Sequence, residues 1–121
     1  MTDKFKEKIN GISIDRKRSN AYLLKHSKVF KDYVKMGETA FAEGKLSKKN
    51  KELIATAISV ITNCESCMDW HIHEAFQAGA SEGEIMEAVD VAIHMGVGPI
   101  TVNSRFAVHV IEHYRPKSNN S

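Results

Sequence analysis

The sequence predicts an all-α protein, a helical bundle of five to six helices. Apolar residues recur three or four positions apart along most of the chain, and glycines and prolines lie between these stretches. No stretch alternates polar and apolar residues as a half-buried strand would. The 121 residues, 42% of them hydrophobic, suffice for one core without metal or disulfide support. We therefore predict a single domain over residues 1–121, with its core at about 21–115 and a flexible tail at 116–121.

The N-terminal part of the chain is predicted to hold two helices. Residues 1–19 are expected to form a short helix and a loop through Gly11. The second helix is predicted over about 21–43, and Gly44 is suited to end it. The apolar stripe of this second helix consists of Phe30, Val34, Gly37 and Phe41.

The middle of the chain predicts two helices joined by a tight turn. Ser47 is a favourable N-cap for the first of them, and its stretch 53–61 is apolar on nearly all sides. We expect this helix to be the buried centre of the domain. Asn63 is predicted to break it, and Cys64 then begins a helix that is predicted to end at Gly79.

Two further helices are predicted in the C-terminal part. Ser81 and Glu84 have the spacing of a capping box, in which each side chain bonds the other residue's backbone N–H. The helix that they begin has an inner face of Ile85, Ala88, Val89 and Ala92. After a glycine-rich joint at 96–99, the last helix is predicted to end near Pro116 and to carry an apolar stripe of Val102, Phe106, Val110 and Tyr114.

Charge and hydropathy argue against several classes of function. The formal charge of +2 comes from 17 basic and 15 acidic residues that are mostly interleaved. The basic clusters at 16–18 and 45–51 lack interleaved aromatic residues, so we interpret them as solvated surface. The N-terminus is charged, and the longest apolar run, 53–62, is about half the ~20 residues that span a bilayer. We expect a cytoplasmic protein that binds neither nucleic acid nor membranes.

The most specific motif in the chain consists of Glu52, Cys64, Cys67 and His71. The two cysteines are the only ones, and a cytoplasmic CxxC pair is more often catalytic, redox-sensing or metal-binding than structural. At the start of a helix the free N–H groups and the helix dipole favour a thiolate, so the pKa of Cys64 should fall below its usual ~8.5. Cys67 lies one turn later on the same face. The two sulfurs should therefore reach bonding distance and cycle between dithiol and disulfide.

His71 and Glu52 are the candidate acid–base groups. His71 lies four residues after Cys67 and seven after Cys64, so the three side chains share one helical stripe. An imidazole there can exchange protons with a thiol near neutral pH. Glu52 belongs to the preceding helix, where burial would raise the pKa of an unpaired carboxyl. Its contact with His71 requires the two helices to cross antiparallel.

These residues resemble the carboxymuconolactone decarboxylase / alkyl hydroperoxidase D-like (AhpD-like) superfamily, whose peroxidase branch carries the pattern E-x11-C-x2-C-x3-H. Every spacing of that pattern is kept in this chain. The resemblance covers about residues 27–110 and extends through 79–81, Glu84 and 87–88 to Gly96 and Gly98. It implies an all-helical fold, assembly into a homo-trimer or homo-hexamer, and a thiol peroxidase-like activity on hydroperoxides.

The resemblance also implies roles for the four motif residues. Glu52 and His71, with a water, would relay protons, and the second cysteine would attack the peroxide, which makes Cys67 the peroxidatic thiol and Cys64 the resolving one. The helix dipole alone would favour Cys64 as the nucleophile, whereas proximity to His71 favours Cys67, and we choose Cys67. We predict no cofactor and no metal ion. The partners would be a hydroperoxide and a thiol or dithiol reductant or a reductase protein.

Other interpretations of the motif stay open. The first is a zinc-binding helical module in which Cys64, Cys67 and His71 supply three ligands, with His94, His73 or Glu52 as the fourth. The second is a carboxymuconolactone decarboxylase-like protein without peroxidase activity, although that branch typically lacks the cysteine pair. Ser66 stands where relatives often have an aromatic residue or a histidine. We interpret the remaining histidines as structural or exposed, namely His26, His73, His94, His109 and His113.

Overall fold

The computed structural model describes residues 3–117, and this part of the chain forms six α-helices. They are α1 (Asp3–His26), α2 (Lys28–Phe41), α3 (Lys48–Ile61), α4 (Glu65–Gln77), α5 (Glu82–Gly96) and α6 (Gly98–Tyr114). No strand occurs within 3–117, and the predicted all-α class is confirmed. Of the tail predicted at 116–121, residues 118–121 lie outside the described range.

The first helix is longer than we predicted. α1 continues without a break through Gly11, so the loop expected there is wrong. A glycine inside a helix costs about 0.5–1 kcal/mol relative to alanine, which the packing of α1 outweighs. Ile9 is fully buried in the core, and Arg16 forms an ion pair with Asp69 of α4. These contacts hold the helix on both sides of the glycine.

A helix boundary at Ser27 divides the segment that we predicted as one helix over 21–43. The Ser27 hydroxyl accepts a hydrogen bond from the Phe30 N–H at 3.0 Å and so forms the N-cap of α2. α2 ends at Phe41, and Gly44 lies in the loop that follows. The predicted start of this helix at about residue 21 is wrong. Apolar spacing continues across Ser27, but the serine hydroxyl accepts a hydrogen bond from a backbone N–H of the first turn of α2, so a new helix begins there.

The other predicted helix ends are confirmed. Ser47 caps α3, and Ser81 and Glu84 form both hydrogen bonds of a capping box at the start of α5. Asn63, between α3 and α4, adopts a positive φ of 53°, and Gly79, after α4, adopts a φ of 95°. These left-handed residues reverse the chain at both ends of α4.

α3 packs against both α4 and α5, but only one face of it is buried. That face carries polar groups, because Glu52, Thr56 and Ser59 are at most 2% exposed. The hydroxyls of Thr56 and Ser59 donate to backbone carbonyls within the helix, at 2.8 and 2.7 Å, which satisfies them in the core. The expectation that this helix is the buried centre of the domain therefore holds for one of its faces only, although stretch 53–61 is apolar on nearly all sides. Its isoleucines face outward.

The apolar core lies where α4, α5 and α6 meet α3 and the first half of α1. Its largest fully buried apolar side chains are Ile9, Met68, Ile72, Ile85, Val60, Val89 and Val110. Val102 of α6, which we predicted as part of the apolar stripe of the last helix, is 53% exposed, so that prediction is wrong for this residue. Within residues 3–117, no helix combines the length and the apolar character needed to cross a membrane.

Candidate functional site

The two cysteines form a disulfide at the start of α4. Cys64 is the N-cap residue and Cys67 lies in the first turn, with their Cα atoms 5.2 Å apart. The Cys67 N–H donates a hydrogen bond to Cys64 Sγ at 3.2 Å, so this sulfur takes the place that a serine oxygen occupies in most N-caps. The Cys64 N–H donates to the Ser59 carbonyl at 3.0 Å and ties the turn to α3. The predicted approach of the two sulfurs to bonding distance is confirmed.

Glu52 and His71 are brought together by the packing of α3 against α4. Glu52 Oε1 lies 2.7 Å from His71 Nδ1, and the exposed fractions of the two side chains are 2% and 19%. The contact that we predicted from an antiparallel crossing is therefore present. A carboxylate accepts and does not donate, so we assign the proton of this hydrogen bond to Nδ1. In the neutral imidazole, Nε2 then carries the lone pair and is the atom free to take a proton.

Lys48 and Phe41 complete the surroundings of this pair, and we did not predict either from the sequence. Lys48 Nζ lies 2.9 Å from Glu52 Oε2 and 3.9 Å from Glu74 Oε1. The Phe41 ring stacks on the His71 ring, with centroids 5.2 Å apart and an interplanar angle of 20°. The i,i+4 spacing of Lys48 and Glu52 is a sequence signal for their ion pair. No sequence signal indicates that Phe41 reaches His71.

The carboxyl group of Glu52 is ionised at neutral pH. Burial on its own would raise its pKa, but the hydrogen bonds and charges of His71 and Lys48 outweigh burial and hold the pKa of Glu52 below its ordinary value of 4.5. Each carboxylate oxygen thus has one partner, His71 on Oε1 and Lys48 on Oε2. The result is a buried, fully paired anion that orients the imidazole.

A second polar cluster lies against α4 and includes Ser66, the residue directly before Cys67. Asp69 is fully buried, and its two oxygens accept hydrogen bonds from Arg16 Nη2 at 2.7 Å and from the Tyr114 hydroxyl at 2.8 Å. Arg16 Nη1 lies 3.2 Å from both the Ser66 carbonyl oxygen and the Ser66 hydroxyl oxygen. Burial, followed by the hydrogen bond and charge of Asp69, raises the pKa of Tyr114. The interpretation of Arg16 as solvated surface is therefore wrong, because its side chain is 17% exposed and ion-paired.

The remaining histidines of the described chain take no part in the contacts around the disulfide. Four of them pack against aromatic rings: His26 on Tyr22, His73 and His113 on Tyr114, and His109 on Phe5. His94 is exposed. Among residues 3–117, no three His, Cys, Asp or Glu side chains are grouped closely enough to hold a metal ion.

Comparison with known proteins gives similar sequences and similar structures. Residues 27–109 match the model of the carboxymuconolactone decarboxylase family. An uncharacterised protein from the cox locus of Paracoccus denitrificans is 34% identical over 80 residues, which are 66% of this chain and 72% of that protein.

Two solved structures of proteins from that family have the same fold. An apo structure from Legionella pneumophila has a TM-score of 0.80 at 28% identity and covers 89% of this chain and 95% of its own. A Thermotoga maritima protein, described as having a possible part in an antioxidative response, has a TM-score of 0.77 at 28% identity and covers 84% of this chain and 87% of its own.

Proposed function

The chain belongs to the carboxymuconolactone decarboxylase family, and we propose that it is a thiol-dependent alkyl hydroperoxidase, a cysteine-based peroxidase of the peroxiredoxin type. The observation that carries the proposal is the Cys64–Cys67 disulfide at the start of α4, with His71 one turn after Cys67 on that helix and hydrogen-bonded to Glu52 of α3. A pair that forms a disulfide in the folded chain is suited to two-electron redox chemistry. The Thermotoga maritima relative, described as having a possible part in an antioxidative response, supports a peroxidase function for this chain.

The oxidative half of the reaction uses both thiols. The Cys67 thiolate attacks one oxygen of the hydroperoxide, the O–O bond breaks, and Cys67 becomes a sulfenic acid while an alkoxide leaves. The alkoxide takes a proton and departs as an alcohol. The Cys64 thiolate then attacks the sulfenic sulfur, the S–O bond breaks as the disulfide forms, and the hydroxide leaves as water after taking the proton that the Cys64 thiol lost. Two thiols are thus oxidised by two electrons, and one hydroperoxide is reduced to an alcohol and water.

His71 is the proposed proton carrier for these steps. It lies one helical turn after Cys67, and Nε2 of its ring can take a proton from a thiol and return one to the alkoxide. Glu52 fixes the tautomer through Nδ1 and, as an ionised carboxylate, stabilises the ring when it becomes positively charged. Lys48 keeps the second Glu52 oxygen occupied.

A reductant must return the disulfide to the dithiol. We propose that this partner is a thiol or dithiol compound or a reductase protein, and that the protein works in the cytoplasm, where such reductants are abundant. The same exchange chemistry would let the pair act as a disulfide reductase. Reduction of a model protein disulfide without consumption of hydroperoxide would favour that second activity.

Cysteine variants test the proposal. With dithiothreitol as the reductant, the wild-type protein should consume tert-butyl hydroperoxide continuously, whereas Cys67→Ser should consume none. Reduced Cys64→Ser, freed of dithiothreitol before the hydroperoxide is added, should consume one equivalent and hold a sulfenic acid that dimedone traps at Cys67. Ser19→Ala, at an exposed position on α1, keeps both thiols and serves as the control. Wild-type consumption by Cys67→Ser would overturn the assignment.

Two other functions are distinguished by separate measurements. Stoichiometric zinc in protein purified without chelator, lost on replacement of both cysteines, would indicate a zinc-binding module instead. Decarboxylation of a muconolactone with no hydroperoxide consumption would indicate a decarboxylase. Each of these results would displace the peroxidase proposal.

We propose that the protein is a homo-oligomer, a trimer or a hexamer. Ile54, Ile58 and Ile61 form an outward stripe on α3 and are 48%, 54% and 43% exposed. Val91 and Met95 of α5, which packs against α3, are 60% and 71% exposed. Apolar surface of this extent on two neighbouring helices supports burial against other copies of the chain. Light scattering should give a trimeric or hexameric mass, and a monomer at all accessible concentrations would contradict it.

A further inference from the structure

The peptide group between Ser66 and Cys67 has a hydrogen-bond partner at each end. Its carbonyl oxygen accepts a hydrogen bond from Arg16 Nη1 at 3.2 Å, and its N–H donates to Cys64 Sγ at 3.2 Å. The C=O and N–H belong to one conjugated amide, so a cation at the oxygen makes the N–H a stronger donor. A chain of two hydrogen bonds therefore links the Arg16 guanidinium to the sulfur of Cys64.

Arg16 is held in this position by the second polar cluster. Its Nη2 donates to the fully buried Asp69 carboxylate, whose other oxygen accepts from the Tyr114 hydroxyl. The planar guanidinium reaches the carboxylate with one nitrogen and the Ser66 carbonyl with the other, which the single ammonium of lysine does not reproduce. Arg16 belongs to α1 and lies outside the segment 27–109 that matches the family model.

We infer that Arg16 is a positioning residue that stabilises the thiolate of Cys64 through the Ser66–Cys67 peptide group. A thiolate carries a full negative charge, so it gains more from the polarised N–H than a disulfide sulfur does. Arg16 thereby favours the reduced form of the pair. The inference rests on the proposed function only for the use that the protein makes of this redox pair. The stabilisation of the Cys64 thiolate depends on the cysteine pair and its surroundings, and not on the substrate that the pair reduces.

Arg16 also acts on the step that regenerates the dithiol. A reductant thiolate attacks Cys67 Sγ, the disulfide bond breaks, and its electron pair passes to Cys64 Sγ, which leaves as the stabilised thiolate. The second thiol of the reductant then attacks its own sulfur in the mixed disulfide and releases Cys67. The reductant ends as a disulfide, having lost two electrons, and Cys64 and Cys67 have gained them.

The charges around the start of α4 predict opposite effects for two variants. Arg16→Met removes the cation and leaves the Asp69 carboxylate, which disfavours a nearby thiolate. Asp69→Asn leaves the cation without its counter-charge, which favours the thiolate. The only other ion pair between α1 and α4 that the structure shows in residues 3–117, Lys8 with Glu65, is unchanged in both variants. A role limited to docking α1 on α4 would move both variants in the same direction.

The test is the reduction potential of the Cys64–Cys67 pair, measured in the full chain by equilibration with dithiothreitol. Arg16→Met should lower the equilibrium constant for reduction about tenfold, which is about 30 mV for a two-electron couple, and Asp69→Asn should raise it. Arg16→Lys should fall between wild type and Arg16→Met. Arg18→Met, which removes an exposed arginine of the same helix, should leave the potential unchanged.

Two results would overturn the inference: shifts of the same sign in Arg16→Met and Asp69→Asn, or an Arg16→Met potential equal to that of Arg18→Met. If Arg16→Met does not fold because the buried Asp69 carboxylate has lost its counter-charge, Asp69→Asn decides alone, and a potential that fails to rise overturns the assignment. Hydroperoxide consumption is recorded on the same samples. Shifted potentials without hydroperoxide consumption would overturn the proposed function and leave the role of Arg16 intact. Hydroperoxide consumption with unshifted potentials would overturn the role of Arg16 and leave the proposed function intact.

Discussion

His71 Nδ1 and Glu52 Oε1 lie 2.7 Å apart, and this contact joins two helices across the site. Glu52 lies twelve residues before Cys64 in the sequence, yet the turn at Asn63 and the packing of α3 on α4 bring its carboxylate to the histidine that follows the cysteines. The carboxylate is buried and also paired with Lys48. The site therefore holds an oriented imidazole on the same helix as the Cys64–Cys67 disulfide.

Replacement of Glu52 by glutamine should slow oxidation of the thiols. Glutamine keeps the size of the side chain but supplies no negative charge to stabilise protonated His71. General acid–base catalysis contributes roughly 10²–10⁴-fold to a rate, and we expect a loss of about a hundredfold at neutral pH. The rate of thiol loss with tert-butyl hydroperoxide measures it. Glu87→Gln, an exposed position on α5, should match the wild type. An unchanged rate in Glu52→Gln would remove Glu52 from the mechanism.

Acid should destabilise the fold partly through Glu52. Its pKa is lowered in the folded chain, so its contribution to stability is present above the unfolded value of about 4.5 and is lost as the pH falls through the lower, folded value. The free energy of unfolding of the wild type should therefore fall more steeply below pH 4.5 than that of Glu52→Gln. Urea denaturation at a series of pH values tests this. Parallel curves would show that Glu52 contributes nothing to the acid dependence.

Loss of the Tyr114 hydroxyl should weaken the second polar cluster. Tyr114→Phe leaves one oxygen of the buried Asp69 carboxylate without its donor, which we expect to lower the free energy of unfolding by about 1–3 kcal/mol. Tyr33→Phe, at a side chain that is 59% exposed, is the matched control and should change stability by less than about 0.5 kcal/mol. Equal stabilities of the two variants would mean that the Asp69 carboxylate is satisfied without Tyr114.

Two glycines should respond to alanine in opposite directions. Gly79 ends α4 with a φ of 95°, which an alanine adopts at a cost of about 1–2 kcal/mol. Gly11 lies inside α1, and a Cβ there would meet no atom within 4 Å, so alanine should stabilise the protein by about 0.5–1 kcal/mol. Thermal unfolding compares the two variants with the wild type. Destabilisation by Gly11→Ala would contradict a continuous α1.

Most of the fold and the residues of the motif could be predicted from the sequence, because they depend on local signals. The caps at Ser47 and Ser81 and the helix end at Gly79 depend on residues within one helical turn, so the spacing of residues in the sequence is enough to identify them. Ser27 was missed because apolar spacing runs through it. Gly11 was misjudged because tertiary contacts, absent from local sequence, keep the helix continuous.

The surroundings of the motif depend on contacts between distant segments. Arg16 reaches Ser66 and Asp69 from about fifty residues away, and Phe41 reaches His71 from another helix. Nothing in the spacing of these residues distinguishes them from a solvated arginine or a core phenylalanine. The outward isoleucines of α3 were misjudged for a related reason, since an apolar run does not tell which of its sides the protein itself covers.

A count of free thiols before and after exposure to hydroperoxide tests the central claim most directly. The fully reduced protein has two thiols per chain. One equivalent of tert-butyl hydroperoxide should remove both, and peptide mapping should recover a single disulfide between Cys64 and Cys67, with one alcohol formed per disulfide. Reduced protein that keeps both thiols while the hydroperoxide remains unconsumed would contradict a cysteine-based peroxidase.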